Sequence, residues 1–260
     1  MPINLVDHPA DPQCEGHQWS VADLDALAGL TAIVMIGRAR QIGSILDGAE
    51  QGSVTILPTL KARLKNELVL EDGASPSHRD GLLFETMCWI VARIEAGADE
   101  VLSDPHRRAT QQGADTVKVI FDPVQRELVG VTVFEQKCSS RPRRRFLQEV
   151  LPAFRTWLDG TRDDELTQVA IGLLARYNLT DEESNRAFGQ LVLNRPLAFR
   201  AALTVTPENY AVADCVALFS GYDGLAVAMT SRFGDTFPLP DVRAWFALFA
   251  AAVWAKIEVF

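Results

Sequence analysis

Residues 113–137 read Gly113-Ala114-Asp115-Thr116-Val117-Lys118-Val119-Ile120-Phe121-Asp122, then Pro123-Val124-Gln125-Arg126-Glu127, then Leu128-Val129-Gly130-Val131-Thr132-Val133-Phe134-Glu135-Gln136-Lys137. Apolar residues alternate in both arms, the period of a half-buried strand, and a polar Pro-containing segment joins them, so Asp115–Asp122 and Leu128–Lys137 are expected to form an antiparallel hairpin. If the chain turns about Gln125, Phe121 faces Val129, Val119 faces Val131, Val117 faces Val133 and Asp115 faces Glu135. Every inner pair is apolar, whereas the other face mixes Thr116, Lys118, Gly130 and Thr132 with Ile120 and Phe134. The odd-numbered row therefore sets the register.

That row ends in chemistry. Directly opposed residues have Cβ atoms roughly 4.5 to 5.5 Å apart, so the carboxylates of Asp115 and Glu135 can reach one cation, and Lys137 projects to the same side. Two carboxylates at the edge of a core repel each other unless a cation neutralises them. Mg²⁺ (or Mn²⁺) fits one or two carboxylates plus water and phosphate oxygens, and an ammonium beside it can orient or deprotonate a water. The pattern outlines phosphodiester hydrolysis.

These residues resemble the PD-(D/E)xK nuclease superfamily. The matching pieces are Glu85 in Leu82-Leu83-Phe84-Glu85, Gly113-Ala114-Asp115 opening one strand, Glu135-Gln136-Lys137 closing the next, and Arg143-Arg144-Arg145-Phe146 leading into a helix. The resemblance covers Arg79 to Asp159. It implies a restriction-endonuclease-like αβββαβ core in which Asp115, Glu135 and the Gln136 carbonyl bind metal. Lys137 would serve the attacking water, and Glu85 would bind metal through a water. Ala114 stands where the family has a proline. The Gln and Tyr spaced four apart in some branches are absent, since Gln148 is followed at that distance by Pro152. A role in a prokaryotic restriction or anti-phage defence system is the implied setting.

The rest of the chain reads as helix-rich α/β. Pro58 opens a helix with Leu60, Leu64 and Leu68 on one face, and residues 79–97 are apolar nearly all round. Helices are expected at Arg144–Leu158, Leu166–Tyr177, Asp181–Leu191 and Val242–Ile257, with a strand at Ala198–Thr206. The polar stretch Glu71 to Ser77 suggests a boundary between a mostly helical N-terminal lobe, 1–75, and a nuclease-like domain, 76–260, that ends in extra C-terminal helices. The acidic runs Asp163-Asp164-Glu165 and Asp181-Glu182-Glu183 follow Thr161 and Thr180 and look like capped helix starts.

At 260 residues, 48% hydrophobic and 23% charged, the chain can bury a core without staples, which excludes disulfide miniproteins and wholesale disorder. Cys14, Cys88, Cys138 and Cys215 form no C-x-x-C pair and read as free thiols. Apolar runs of about twelve residues, 26–37 and 244–255, fall short of the roughly 18 that span a bilayer, and Met1-Pro2-Ile3-Asn4 shows no secretory signal, so a cytoplasmic protein is expected. Dinucleotide, Walker A, serine-hydrolase and zinc-protease motifs are missing.

A formal charge of −9 opposes diffuse attraction to phosphate. Binding of nucleic acid, DNA in the first place, would thus rely on Arg143, Arg144 and Arg145 and on a partner (a helicase or recognition subunit) or a homo-oligomer. The alternative is an inactive nuclease-fold subunit that serves binding or assembly. His106, with Arg107 and Arg108, reads as a polar loop, and Cys138 as a thiol on the face away from Glu135 and Lys137.

Overall fold

The computed structural model describes residues 1–49, 55–106, 113–207 and 212–260. In chain order the principal elements are β1 (Ile3–Asp7), β2 (His17–Val21), α1 (Leu24–Met35), α2 (Ile42–Leu46), α3 (Pro58–Leu68), α4 (Ser77–Glu95), β3 (Glu100–Leu102), β4 (Thr116–Asp122) and β5 (Glu127–Lys137). There follow α5 (Pro142–Arg145), α6 (Leu151–Leu158), α7 (Asp163–Leu174), α8 (Asp181–Asn194), β6 (Leu197–Val205), α9 (Val212–Phe219), β7 (Arg232–Pro238) and α10 (Val242–Glu258). The fold is α/β, with one seven-stranded mixed sheet in the order β1-β2-β7-β6-β5-β4-β3 and helices on both faces. Among the described residues no helix is long and apolar enough to cross a membrane.

Strand β5 is the spine of the sheet. It pairs antiparallel with β4 and parallel with β6, which runs parallel to β7. Its odd residues Val131 and Val133 join Val117 and Val119 of β4 and Phe199 of β6 under α6 to α9, in a core centred on Phe154, Trp157 and Tyr222. Its even residue Phe134 faces the other layer, where α1, α3, α4 and α10 pack Phe84, Phe246 and Phe249 against Phe237. Each large side chain fully withdrawn from water in these layers contributes about 1.5 to 3 kcal/mol, and the two layers fix the sheet from both sides.

The hairpin register holds at Val117–Val133 and Val119–Val131. It shifts between Ile120 and Phe121, so Phe121 faces Leu128, not the expected Val129, which is 56% exposed. The cause is the turn. Asp122 accepts hydrogen bonds from the backbone N–H groups of Val124 and Gln125, and Arg126 takes a left-handed conformation at φ 58°, which shortens the connection by one residue.

Residues 1–75 supply α1 to α3 and also two strands that hydropathy periodicity does not announce. β2 pairs with β7, while α1 packs on α10 and α4, so this segment shares a sheet and a core with the residues after it. Pro58 occupies the first turn of α3 as expected. The helix expected over Arg144–Leu158 is interrupted by a π-turn, Phe146–Val150, just before Pro152, whose missing N–H and bulky ring disrupt the regular ladder. Thr180 caps α8 through a reciprocal capping box with Glu183. Thr161 does not cap α7: its hydroxyl donates to Asp159 at 2.6 Å, and the cap residue is Arg162.

A candidate metal centre at the end of the hairpin

The site lies where β4 begins and β5 ends. Strand pairing stops at Thr116 opposite Phe134, and Asp115 continues the ladder with its side chain, Oδ2 accepting the Gln136 N–H at 2.8 Å. Two residues earlier Gly113 sits at φ 133°, a backbone that a side chain would strain, and a Cβ there would meet Glu165 Oε1 at 3.2 Å. The same Glu165 oxygen accepts the Ala114 N–H at 3.0 Å, and Arg162 clasps Glu165 while lying 3.9 Å from the Trp157 ring centroid. Glu165 and Arg162 are thus positioning residues for Asp115. Glu165 was expected only to begin a helix, and nothing local in the sequence marks its second task.

Glu135 and Lys137 extend the buried odd row of β5. Glu135 is only 6% exposed, and its Oε2 accepts from Lys137 Nζ at 3.1 Å. From the other layer, α4 carries Glu85 to the same end of the sheet, because residues 82–84 and 86–92 of that helix are buried against the sheet and α10. Glu85 pairs with neither Arg79 nor Lys137. Its Oε1 lies 3.0 Å from His106 Nδ1 and also accepts the His106 N–H at 3.2 Å. Ligand atoms of Glu85, His106 and Asp115 all fall within 4.8 Å of one another. His106 is the residue that sequence reading undervalued, since the Glu it meets is 21 positions upstream and only the folded chain joins them. Its neighbours Arg107 and Arg108 lie outside the described residues.

Crowded carboxylates leave an electrostatic signature. Burial pushes the Asp115 carboxyl up to about 8, with Glu135 and Glu85 adding to the rise. Burial likewise raises Glu135, against the pull of Lys137. For Lys137 burial works to lower the ammonium, but Glu135 and Asp115 outweigh it and the net shift is upward. The hydrogen bond to Glu85 raises His106. A cluster of this kind stores repulsion that a divalent cation relieves.

The donor set fits such an ion. Carboxylate oxygens suit Mg²⁺ and Mn²⁺, and an imidazole nitrogen is a ligand that Mn²⁺ accepts more readily than Mg²⁺. Beside the cluster, Gln136 is 7% exposed, and neither atom of its side-chain amide has a hydrogen-bond partner among the described residues. The structure brings Glu85 and Asp115 together with His106; Glu135 stands one step back, engaged by Lys137.

Glu85, Asp115, Gln136 and Lys137 line a surface cavity of about 410 Å³, together with Arg145, Glu149, Arg243 and His78. His106 lines a second cavity of about 900 Å³ with Gly113, Ala114 and Arg162. The three arginines of the basic run go separate ways. Arg145 reaches the first cavity and pairs with Glu149. Arg144 donates to Gln148 at 2.8 Å. Arg143 donates to the carbonyls of Leu218 and Ser220 at 2.9 and 2.7 Å, closing the end of α9. Cys138 borders the cavity, but burial pushes its thiol up to about 12, so it offers no thiolate nucleophile at neutral pH.

Comparison with protein-family models, with curated proteins and with solved structures finds no match to this chain.

Proposed function

We propose that the chain is a metal-dependent nuclease of the restriction-endonuclease-like type that hydrolyses phosphodiester bonds, those of DNA in the first place. The observation carrying this reading is the convergence of Glu85, His106 and Asp115 within 4.8 Å, beside the Glu135–Lys137 ion pair, at one end of a hairpin, with Glu85, Asp115 and Lys137 on the wall of a cavity. The element order supports the fold half of the proposal. Over residues 77–205 the chain runs helix α4, strands β3 to β5, helices α5 and α6, then strand β6, with α7 and α8 inserted before that last strand.

Glu85, His106 and Asp115 are the residues that would hold the ion. A divalent cation bound there supplies charge stabilisation to a phosphoryl group and lowers the pKa of water. The chain's own residues do the positioning. Asp115 is fixed by the Gln136 N–H and by the Glu165–Arg162 clasp behind Gly113 and Ala114. Glu135 holds Lys137, whose ammonium would orient the attacking water and donate to a phosphoryl oxygen as charge develops. Arg145 at the same cavity gives the strand a cationic contact that carries no sequence information. With a net charge of −9, affinity for a long nucleic acid is assigned to a partner subunit or a second copy of the chain.

The test is cleavage of linear, circular and single-stranded DNA and of RNA in Mg²⁺, Mn²⁺ and EDTA, by wild type and Lys137→Ala. Metal-dependent products that disappear in the variant are expected. Products of equal yield from both proteins, or formed in EDTA, would remove the hydrolytic reading.

A further inference from the structure

The cavity that holds the acidic cluster has a second, cationic side built on α10. Arg243, in the first turn of that helix, lines the cavity and gives one nitrogen to Asp80 Oδ2. Asp80 is fully buried, and its other oxygen takes two hydrogen bonds from Arg79 at 2.9 and 2.8 Å. A guanidinium carries five N–H donors in a rigid fork, so Arg243 is anchored by one of them while the side chain stays 41% exposed at the cavity. Other arginines of the fold are spent differently. Arg200 is tied to both Glu95 and Asp235, and Arg232 to four backbone carbonyls.

Arg145, ion-paired with Glu149, lines the same cavity with its side chain half exposed, and the amide of Gln136, more than nine-tenths buried and without a partner among the described residues, borders it. A volume of about 410 Å³ accommodates a group of nucleotide size. We infer that Arg243, anchored on Asp80, forms with Arg145 a phosphate subsite for a backbone phosphate next to the one attacked. The ligand class is a nucleic-acid strand, and the inference rests on the nuclease reading for its substrate. Planar fork geometry suits two phosphate oxygens at once, and the anchor on Asp80 keeps the guanidinium ordered before a strand arrives.

The experiment measures binding without turnover. A dye-labelled single-stranded oligonucleotide is titrated with wild type, Arg243→Ala, Arg243→Lys and Arg145→Ala in Ca²⁺, with cleavage checked to be absent; deoxy and ribo strands and inorganic phosphate as competitor form separate arms. Losing a charge-assisted contact predicts that Arg243→Ala and Arg145→Ala each weaken strand binding roughly ten- to hundredfold. Arg243→Lys, which keeps a cation on Asp80 but not the fork, is expected to lose about three- to tenfold. Inorganic phosphate displacing the strand from wild type supports a phosphate contact. Thermal melting and Mn²⁺ calorimetry of each variant read folding and the acidic cluster separately.

Strand affinity unchanged within twofold in folded Arg243→Lys and Arg145→Ala overturns the subsite, as does a wild type that binds no strand. Binding that follows the arginines in a protein that never cleaves leaves the subsite standing and removes the hydrolytic reading instead. Cleavage with arginine-independent binding does the reverse.

Discussion

Replacing Asp115 with Asn isolates the electrostatics of the cluster. The substitution keeps the side chain's shape and an oxygen that can accept the Gln136 N–H, now 2.8 Å from Oδ2, while removing one negative charge. At a separation of at most 4.8 Å from the Glu85 ligand atom, like charges at an effective dielectric near 20 repel by about 3.5 kcal/mol. His106 and Lys137 offset part of this, so the metal-free protein should gain about 1 to 2 kcal/mol from Asp115→Asn, or about 2 to 8 °C in Tm for a chain of this size. With Mn²⁺ the order reverses. An ion at a hundred times its Kd stabilises the wild type by about 2.7 kcal/mol, and the variant, short of a ligand, gains little. Thermal and urea unfolding of both proteins, in EDTA at pH 9, where the raised Asp115 carboxyl is ionised, and across a Mn²⁺ series at pH 7.5, where the ion displaces its proton, reads both limbs. A variant less stable than wild type in EDTA by 2 kcal/mol or so, or Mn²⁺ shifts equal in the two proteins, would show that Asp115 is a structural carboxylate and that the repulsion argument is wrong.

Other outcomes follow from packing and pairing. A Cβ at Gly16 would sit 1.9 Å from the Gly234 carbonyl oxygen, so Gly16→Ala should cost about 3 kcal/mol or more in urea unfolding, whereas Gly29→Ala, with nothing within 4 Å in α1, should gain about 0.5 to 1 kcal/mol. His17 is raised chiefly by the Asp235 carboxylate, 3.7 Å from its Nδ1, with Glu95 adding to the rise against burial and Arg200; Asp7 also lies 3.3 Å from its ring. Its stabilising contribution is therefore full below the unfolded imidazole value and lost as pH rises through the raised folded one, so wild type should exceed His17→Gln in stability by more at pH 5.5 than at pH 8.5. An NMR titration placing His17 at or below the ordinary value would contradict this. Thr180→Ala, which breaks the capping box of α8, should lower stability by about 1 kcal/mol on chemical denaturation.

How much could be read before folding depended on the range of the interaction. Alternation of Val117, Val119, Val131 and Val133 fixed most of the hairpin because register is a local pattern with a buried face. Its bulge escaped, since the shortening comes from Asp122 and Arg126 setting the turn, not from hydropathy. β7 is invisible to periodicity because its Asp235 is buried on the strength of partners elsewhere, Arg200 in β6 and His17 in β2. At the site, Glu85, Asp115, Glu135 and Lys137 were legible as residue types at spacings that strands and helices convert into proximity. His106 and Glu165 were not, as each acts across 21 or 51 positions of sequence. Arg143 shows the opposite failure. A basic run signals charge but cannot say which member closes a neighbouring helix, and here Arg143 does so through the Leu218 and Ser220 carbonyls.

A divalent ion held at this end of the sheet, by Glu85, His106 and Asp115, is what the proposed chemistry requires. Crystals grown with Mn²⁺ and measured at its absorption edge test it directly. The account predicts an anomalous peak bounded by Glu85, His106 and Asp115, lost in Asp115→Asn. Wild-type crystals grown at saturating Mn²⁺ with no peak there, and with the Glu85–His106 hydrogen bond intact, would contradict it.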